Sequence, residues 1–489
     1  MKNPITANLP PLIYAEASVH SIGGESVFTT QKYITSETVT EFYSKHNLIQ
    51  KAVMKLRENG FEVMNVGETS ISISAPPNIF EKVFHTKIIQ KERKISGIFG
   101  KTSTTVLDST NSDVLGLINT NDSDLADVLE GVAINEKVIL YSPPVGNSEN
   151  INTPGRISPD PPKKDYYYLE PPHDLIELLL AKRAHQNGVT GKGVKVVIVD
   201  SGFYRHPFFI KRQYHINPVI LGPATSEPIH DETGHGTGTS ANVFSLAPEV
   251  DLTMVKMNMF VAMGAFDKAV LENPDIITCS WGFPTPPNEL TAQQSLFATK
   301  IANAVRKGIT VIFASGNGGQ PFPGMHPDVI SVGGVFIAKD GSKEATPFAS
   351  GYKSEIYSNR QVPDICGLCG LPPKAAYIML PVDPGEEYDK ERAEINHPLG
   401  DETSPIDGWA AFSGTSTAAP QIAGICALLK QVNRNLTPFQ LRDILKRTAR
   451  DVITGHSHQN NPAQPGPDAA TGFGLVDASK AVDVAKRIL

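Results

Sequence analysis

Apolar residues recur along this chain with two periods, and the period changes from one segment to the next. Ser26–Ile34 alternates apolar and polar positions, which predicts a half-buried strand. Leu48–Asn59 repeats apolar residues at helical spacing and is closed by Gly60, which predicts a helix. Phe61–Val66 and Ser70–Ala75 read as strands joined by the turn Gly67-Glu68-Thr69, and Asn78–Phe84 reads as a short helix opened by two prolines. The resulting β-α-β-β-α-β order predicts a small, ferredoxin-like α+β unit over residues 1–141.

From Ser142 to Pro172 the periodicity vanishes. This run is rich in Pro, Ser, Asn and Gly, cannot support a core, and predicts an exposed linker. Asp174–Asn187 then reads as one amphipathic helix. The apolar runs Lys195–Asp200, Asp251–Lys256, Asp275–Ser280 and Thr310–Ser315 alternate with helical patterns after it. That alternation predicts an α/β domain over residues 173–489, a three-layer fold with helices on both faces of a mostly parallel sheet.

Composition narrows the function classes. The 489 residues are 40% hydrophobic and 19% charged with a net charge of −7, and Lys and Arg are scattered. No basic face is built, so nucleic acid is not an expected partner. The longest apolar stretches, such as Leu175–Ala181 and Val194–Val199, fall far short of the roughly 20 residues that span a bilayer, so no membrane span is expected. The start, MKNPITANLPPLIYAEASVH, lacks the apolar core of a secretory signal. The expectation is a cytoplasmic start or export by a non-classical route. Cys279 and Cys426 sit in apolar segments and read as core residues, while Cys366 and Cys369 form a lone CxxC, half a zinc site, with a local redox or packing role.

Four short blocks carry chemistry. Val196-Val197-Ile198-Val199-Asp200-Ser201-Gly202 puts a carboxylate at the C-terminal end of a buried strand, where open α/β sheets place their ligands. Gly234-His235-Gly236-Thr237 sets a histidine between glycines at a helix start. Gly414-Thr415-Ser416-Thr417-Ala418-Ala419-Pro420 sets a serine at the start of an apolar helix. A serine hydroxyl needs a base to become nucleophilic, histidine has the right proton affinity, and a buried aspartate orients and supports the imidazolium. Phe313-Ala314-Ser315-Gly316-Asn317-Gly318-Gly319 adds an amide able to donate to an oxyanion. Asp231, four residues before His235, reads either as a contact for a basic substrate side chain or as a turn acceptor.

In this order the blocks resemble the subtilases, the subtilisin–kexin superfamily of serine peptidases, over roughly residues 174–489. The resemblance implies a subtilisin-like fold and a serine endopeptidase acting on peptide or protein substrates through an acyl-enzyme. It makes Asp200 the orienting residue, His235 the base and acid, Ser416 the nucleophile and Asn317 the oxyanion donor. Ser280, Trp281 and Gly282 match the edge that pairs with substrate backbone, and Ser315 and Gly316 match the facing wall. Subtilases usually read HGTH, whereas this chain has His235-Gly236-Thr237-Gly238, and residues 351–411 carry an insertion.

Two other stretches resemble the sedolisin (kumamolisin) peptidases. The N-terminal unit resembles their propeptide, which implies a zymogen inhibited by its own N-terminal domain and cut within the 142–172 linker. Asp451 and Val452, with Gln464, Gly466 and Asp468, resemble their calcium loop, which implies a structural Ca2+. A sedolisin would use a glutamate and an aspartate where this chain has His235 and Asn317, so the subtilisin chemistry is the expectation. The competing class is a catalytically silent subtilase-fold module that binds peptides; the complete set Asp200, His235, Asn317 and Ser416 argues against it.

Overall fold

The computed structural model describes residues 9–97, 100–141, 157–286, 288–371 and 377–488. Two bodies pack together. The larger is built on an eight-stranded sheet. Its order runs from Ile220–Leu221 through Asp251–Lys256, Lys195–Asp200, Ile276–Cys279, Thr310–Ala314 and Ile330–Ile337. Lys343–Ala345 closes the edge antiparallel, Ile365–Leu368 also pairs with Ile330–Ile337, and the remaining pairings are parallel.

Strand alternation distributes the core. Val196 and Ile198 join one apolar cluster with the helices His235–Leu246 and Thr415–Val432. Val197 and Val199 join the other with the helices Ala262–Leu271 and Ala292–Arg306. A parallel sheet covered on both faces needs this continuous apolar strand composition. Lys195–Asp200 lies between strands that follow it on either side, so Asp200 ends at the point where chain order reverses.

The N-terminal body has the sheet order Glu62–Val66, Ser70–Ala75, Ile13–Val19, Leu129–Ile134 and Leu117–Ile118, antiparallel throughout. Its helices are His46–Glu58 and Pro77–Val83, and Ile88–Gly97 and Gly100–Ser109 add a long separate hairpin. Ile71, Ile73 and Ala15 enter its own core. The opposite face, with Glu16, Ser70 and Ser72, is buried toward the larger body: Lys300 reaches Glu16 at 3.4 Å and Asp267 at 2.5 Å.

Three expectations are corrected. Ser26–Ile34 forms turns rather than a strand, and its end is spent on docking, where Ile34 O meets His326 Nε2 at 3.0 Å. Asp174–Asn187 is two helices, His173–Leu178 and Lys182–Gln186, separated at Leu180, whose φ is 60°. Of the expected linker, residues 142–156 lie outside the described residues, while 157–172 is packed on the larger body. There Leu169 is buried and bonds to Tyr377, Tyr166 donates to Asp401 O, and Asp160 pairs with Lys211 and Arg212.

Candidate active site

Asp200, at the end of its strand, is fully buried, and Oδ1 carries all of its hydrogen bonds. His235 Nδ1 donates to it at 2.7 Å and Ser201 N at 2.8 Å, while Oδ2 has no partner among the described residues. His235 begins its helix, with its ring tilted 5.8 Å from Tyr388 and 6.2 Å from Phe412. Phe412 accounts for the departure from HGTH, because a Cβ at Gly238 would lie 2.9 Å from the Phe412 ring.

Ser416 sits in the first turn of Thr415–Val432. Asn317 is held by its carbonyl: Thr415 N and Thr415 Oγ1 donate to Asn317 Oδ1 at 3.0 and 2.9 Å, so its Nδ2 faces the other way. That Nδ2 donates to the backbone carbonyl of Tyr141 at 2.8 Å. A Cβ built on Gly414 would lie 2.3 Å from Tyr141 O, 2.9 Å from Asn317 Nδ2 and 3.1 Å from Ser416 Oγ, so the three groups converge over a residue that must lack a side chain. His235 Nε2 and Ser416 Oγ are both buried with no hydrogen-bond partner among the described residues.

The chain before Tyr141 lies along the same cleft. Tyr141 N donates to Ser280 O at 3.2 Å, Ile139–Leu140 pairs antiparallel with Trp281–Gly282, and Val138 N donates to Met259 O at 2.9 Å. Trp281 is anchored behind this edge by its indole N–H on Val199 O at 2.7 Å. The Tyr141 ring is buried, and a Cβ at Gly282 would fall 2.0 Å from its hydroxyl. Ser315 and Gly316 are buried beneath the Asn317 turn and bond to Val332 and Ser350. The sequence pointed to Ser280, Trp281, Gly282 and Asn317, but not to Tyr141, Met259 or Thr415. The short apolar run Val138–Tyr141, ending against the proline-rich stretch, was the available signal.

The C-terminal loop is arranged differently from the expected cation cage. Asp468 Oδ1 accepts from Ala470 N and Thr471 N, and its Oδ2 accepts from Gln464 N. Asp451 accepts from Val452 N and Gly466 N. These N–H donors take up part of each carboxylate's accepting capacity, one on each Asp451 oxygen. Among the described residues no group of three or more His, Cys, Asp and Glu is placed to hold a metal. The CxxC likewise builds none: Cys366 and Cys369 are buried free thiols packed on Gly333 and Gly334.

No helix among the described residues is long and apolar enough to cross a membrane. The model of the Peptidase S8 (subtilase) family matches residues 191–474, more than half of the chain. Subtilisin E of Bacillus subtilis is 27% identical over 298 residues, covering 56% of this chain and 65% of that protein, so the chain spans less than two thirds of that relative. M-protease of Shouchella clausii is 28% identical over 329 residues, covering 63% and 68%. Fervidolysin from Fervidobacterium pennivorans, a keratinolytic enzyme related to subtilisin, superposes with a TM-score of 0.56 over 96% of this chain and 61% of its own, at 16% identity, a likeness of fold. With the parallel sheet, the strand-end aspartate and the family match in agreement, this chain belongs to the subtilase family.

Proposed function

We propose that this chain is a serine endopeptidase made as a self-inhibited precursor, and that the first bond it cuts is Tyr141–Ser142. One observation carries the reading: the Tyr141 carbonyl lies under the Asn317 amide, and residues 138–141 are seated on both cleft edges by backbone hydrogen bonds. An extended peptide held this way, with one carbonyl aimed at a fixed donor beside a serine, is in substrate geometry.

The residues divide the chemistry as follows. Ser416 Oγ adds to the Tyr141 carbonyl carbon while His235 Nε2 takes the hydroxyl proton. Asp200 supports the imidazolium, and Asn317 Nδ2 meets the oxyanion. Collapse expels the Ser142 amine, which takes the proton from His235 and leaves Tyr141 as an ester on Ser416. Water, deprotonated by His235, then restores the serine and leaves a Tyr141 carboxylate. Because His235 Nε2 and Ser416 Oγ have no hydrogen-bond partner among the described residues, their own hydrogen bond must form before proton transfer. The N-terminal body stays docked after the cut, through its polar face and the apolar residues beside it, and blocks the cleft as inhibitor. Peptide and protein substrates enter once it leaves.

Fluorophosphonate labelling tests the activity. Processed protein should be labelled at Ser416 and lose peptide hydrolysis in proportion. Absence of both labelling and hydrolysis after the N-terminal body is removed would make the chain a silent binding module.

A further inference from the structure

The buried carboxylate of Asp231 is unused by the chemistry above. It is fully buried, so it meets no basic substrate side chain. Its Oδ2 accepts from both Thr237 N and Thr237 Oγ1 at 2.7 Å, and its Oδ1 accepts from Ser201 Oγ at 2.6 Å. Thr237 lies two residues after His235, and Ser201 directly follows Asp200. Asp231 therefore ties together the two elements that carry the Asp200–His235 hydrogen bond.

Ser201 decides what that tie does. A hydroxyl has one proton to donate. Ser201 Oγ accepts from Gly236 N at 3.0 Å, and its proton has two acceptors in reach, Asp231 Oδ1 at 2.6 Å and Asp200 Oδ1 at 3.3 Å. The shorter contact takes it. Asp200 Oδ1 thereby keeps its charge density for His235 Nδ1, which matters because Oδ2 has no partner among the described residues.

We propose that Asp231 is a positioning residue that holds the Ser201 hydroxyl away from Asp200, so that Asp200 can support His235 at full strength. The proposal rests on the peptidase reading. The charged groups facing Asp231 are Asp200, Asp383 with His230 beside it at 3.3 Å, the Glu232–Lys256 pair, and Glu386. Asp383 Oδ2 also accepts from Asp231 N at 2.9 Å and pins its backbone.

The decisive variant is Asp231→Asn. Thr237 N–H can only donate, so the amide oxygen must stay there, and the amide NH2 then faces Ser201. Ser201 becomes an acceptor twice over, and its proton turns to Asp200. The readout is the first-order rate of Tyr141–Ser142 cleavage in the full chain against pH, a measure with no substrate-binding step. Asp231→Asn should slow the plateau roughly tenfold to a hundredfold and move the acid limb down by about half a pH unit or more. Adding Ser201→Ala removes the misdirected proton and should return the limb to its wild-type position, while Ser201→Ala alone leaves it there. A merely structural role would slow cleavage equally at every pH. Should Asp231→Asn fail to fold, Ser201→Ala alone decides: a limb that moves up would show that the Ser201 proton rests on Asp200 in the native chain and would overturn the inference. An unmoved limb in folded Asp231→Asn overturns the inference, and so does a limb that stays shifted in the double variant, since that would make the lost charge the cause. If the wild-type chain does not cut itself and is not labelled at Ser416, the peptidase reading itself has failed.

Discussion

The two sheets of this protein are buried by different means. The larger body covers both faces of its sheet with apolar helices, and its strands are near-continuous Val, Ile and Phe. The N-terminal sheet spends only one face on its own core. The other presents serines and Glu16 to the helices Ala262–Leu271 and Ala292–Arg306, and the contacts beside it mix polar pairs with apolar packing, because Ile34, Val39, Phe42 and Val138 are buried in one cluster with those helices. Ser36 N donates to Asp328 at 2.6 Å, Tyr43 donates to Asn303 at 2.7 Å, and Glu68 meets Lys307 at 2.8 Å. An apolar seam commits two elements to each other. The ion pairs and hydrogen bonds of the mixed seam have solvated alternatives on both sides, which the proposed release of the N-terminal body requires.

The largest expected effect lies where the two bodies meet. Gly414→Ala should suppress self-cleavage by about 10³-fold or more, because its Cβ occupies the space of the Tyr141 carbonyl and the Asn317 donor. The φ of 174° at Gly414 is extended backbone, so the protein should still fold. A variant that processes at the wild-type rate would mean that the reacting carbonyl lies elsewhere.

The polar seam is tested next. Lys300→Met leaves Glu16 and Asp267 buried without their shared cation. Losing one partner of a buried pair costs about 3 kcal/mol or more, so inhibition by the retained N-terminal body should weaken by roughly 10²-fold or more. Titrating peptide hydrolysis of the processed protein against its N-terminal fragment measures this. An unchanged inhibition constant would place the docking energy in the tail at the cleft alone.

What the sequence revealed divides along the same lines. Strongly periodic apolar segments were legible, and so were the blocks around Asp200, His235, Asn317 and Ser416, because each needs a particular residue in a particular backbone context. Segments whose role is to pair with another body were not. Val138–Tyr141 docks by backbone hydrogen bonds, which leave no side-chain period, and Ser26–Ile34 alternates without being a strand. Proline-rich composition hid the anchoring of residues 157–172, which rests on a few tyrosines and Leu169. The glycines and aspartates of the C-terminal loop resemble a cation cage in sequence, yet their carboxylates serve as acceptors for the loop's own N–H groups.

A smaller effect separates the apolar core from the polar insertion beside His235. Burial, with Asp407 adding, pushes the Asp389 carboxyl up to about 8, and burial pushes Glu391 up to about 7. A carboxyl raised in the folded state binds its proton there more readily than when unfolded. The stability it contributes is therefore present at low pH and lost as pH rises through about 4 to 8. Asp389 accepts from Gly385 N and Gly408 N. Exchange protection at those amides, corrected for intrinsic rates, should fall by roughly tenfold between pH 6 and 8, and Asp389→Asn should flatten that dependence. The smallest expected effect is that of chelation. With Asp451 and Asp468 already accepting the loop's own N–H groups, removing calcium should leave the melting temperature unchanged, and a clear drop would show that the loop rearranges around a cation.

The most direct measurement is the N-terminal sequence and intact mass of the full chain after incubation, compared with Ser416→Ala. The expected result is a new N-terminus at Ser142 in the wild type and an uncut Ser416→Ala protein. A wild-type cut at any other bond, or equal cutting of Ser416→Ala in the absence of added protease, would contradict it.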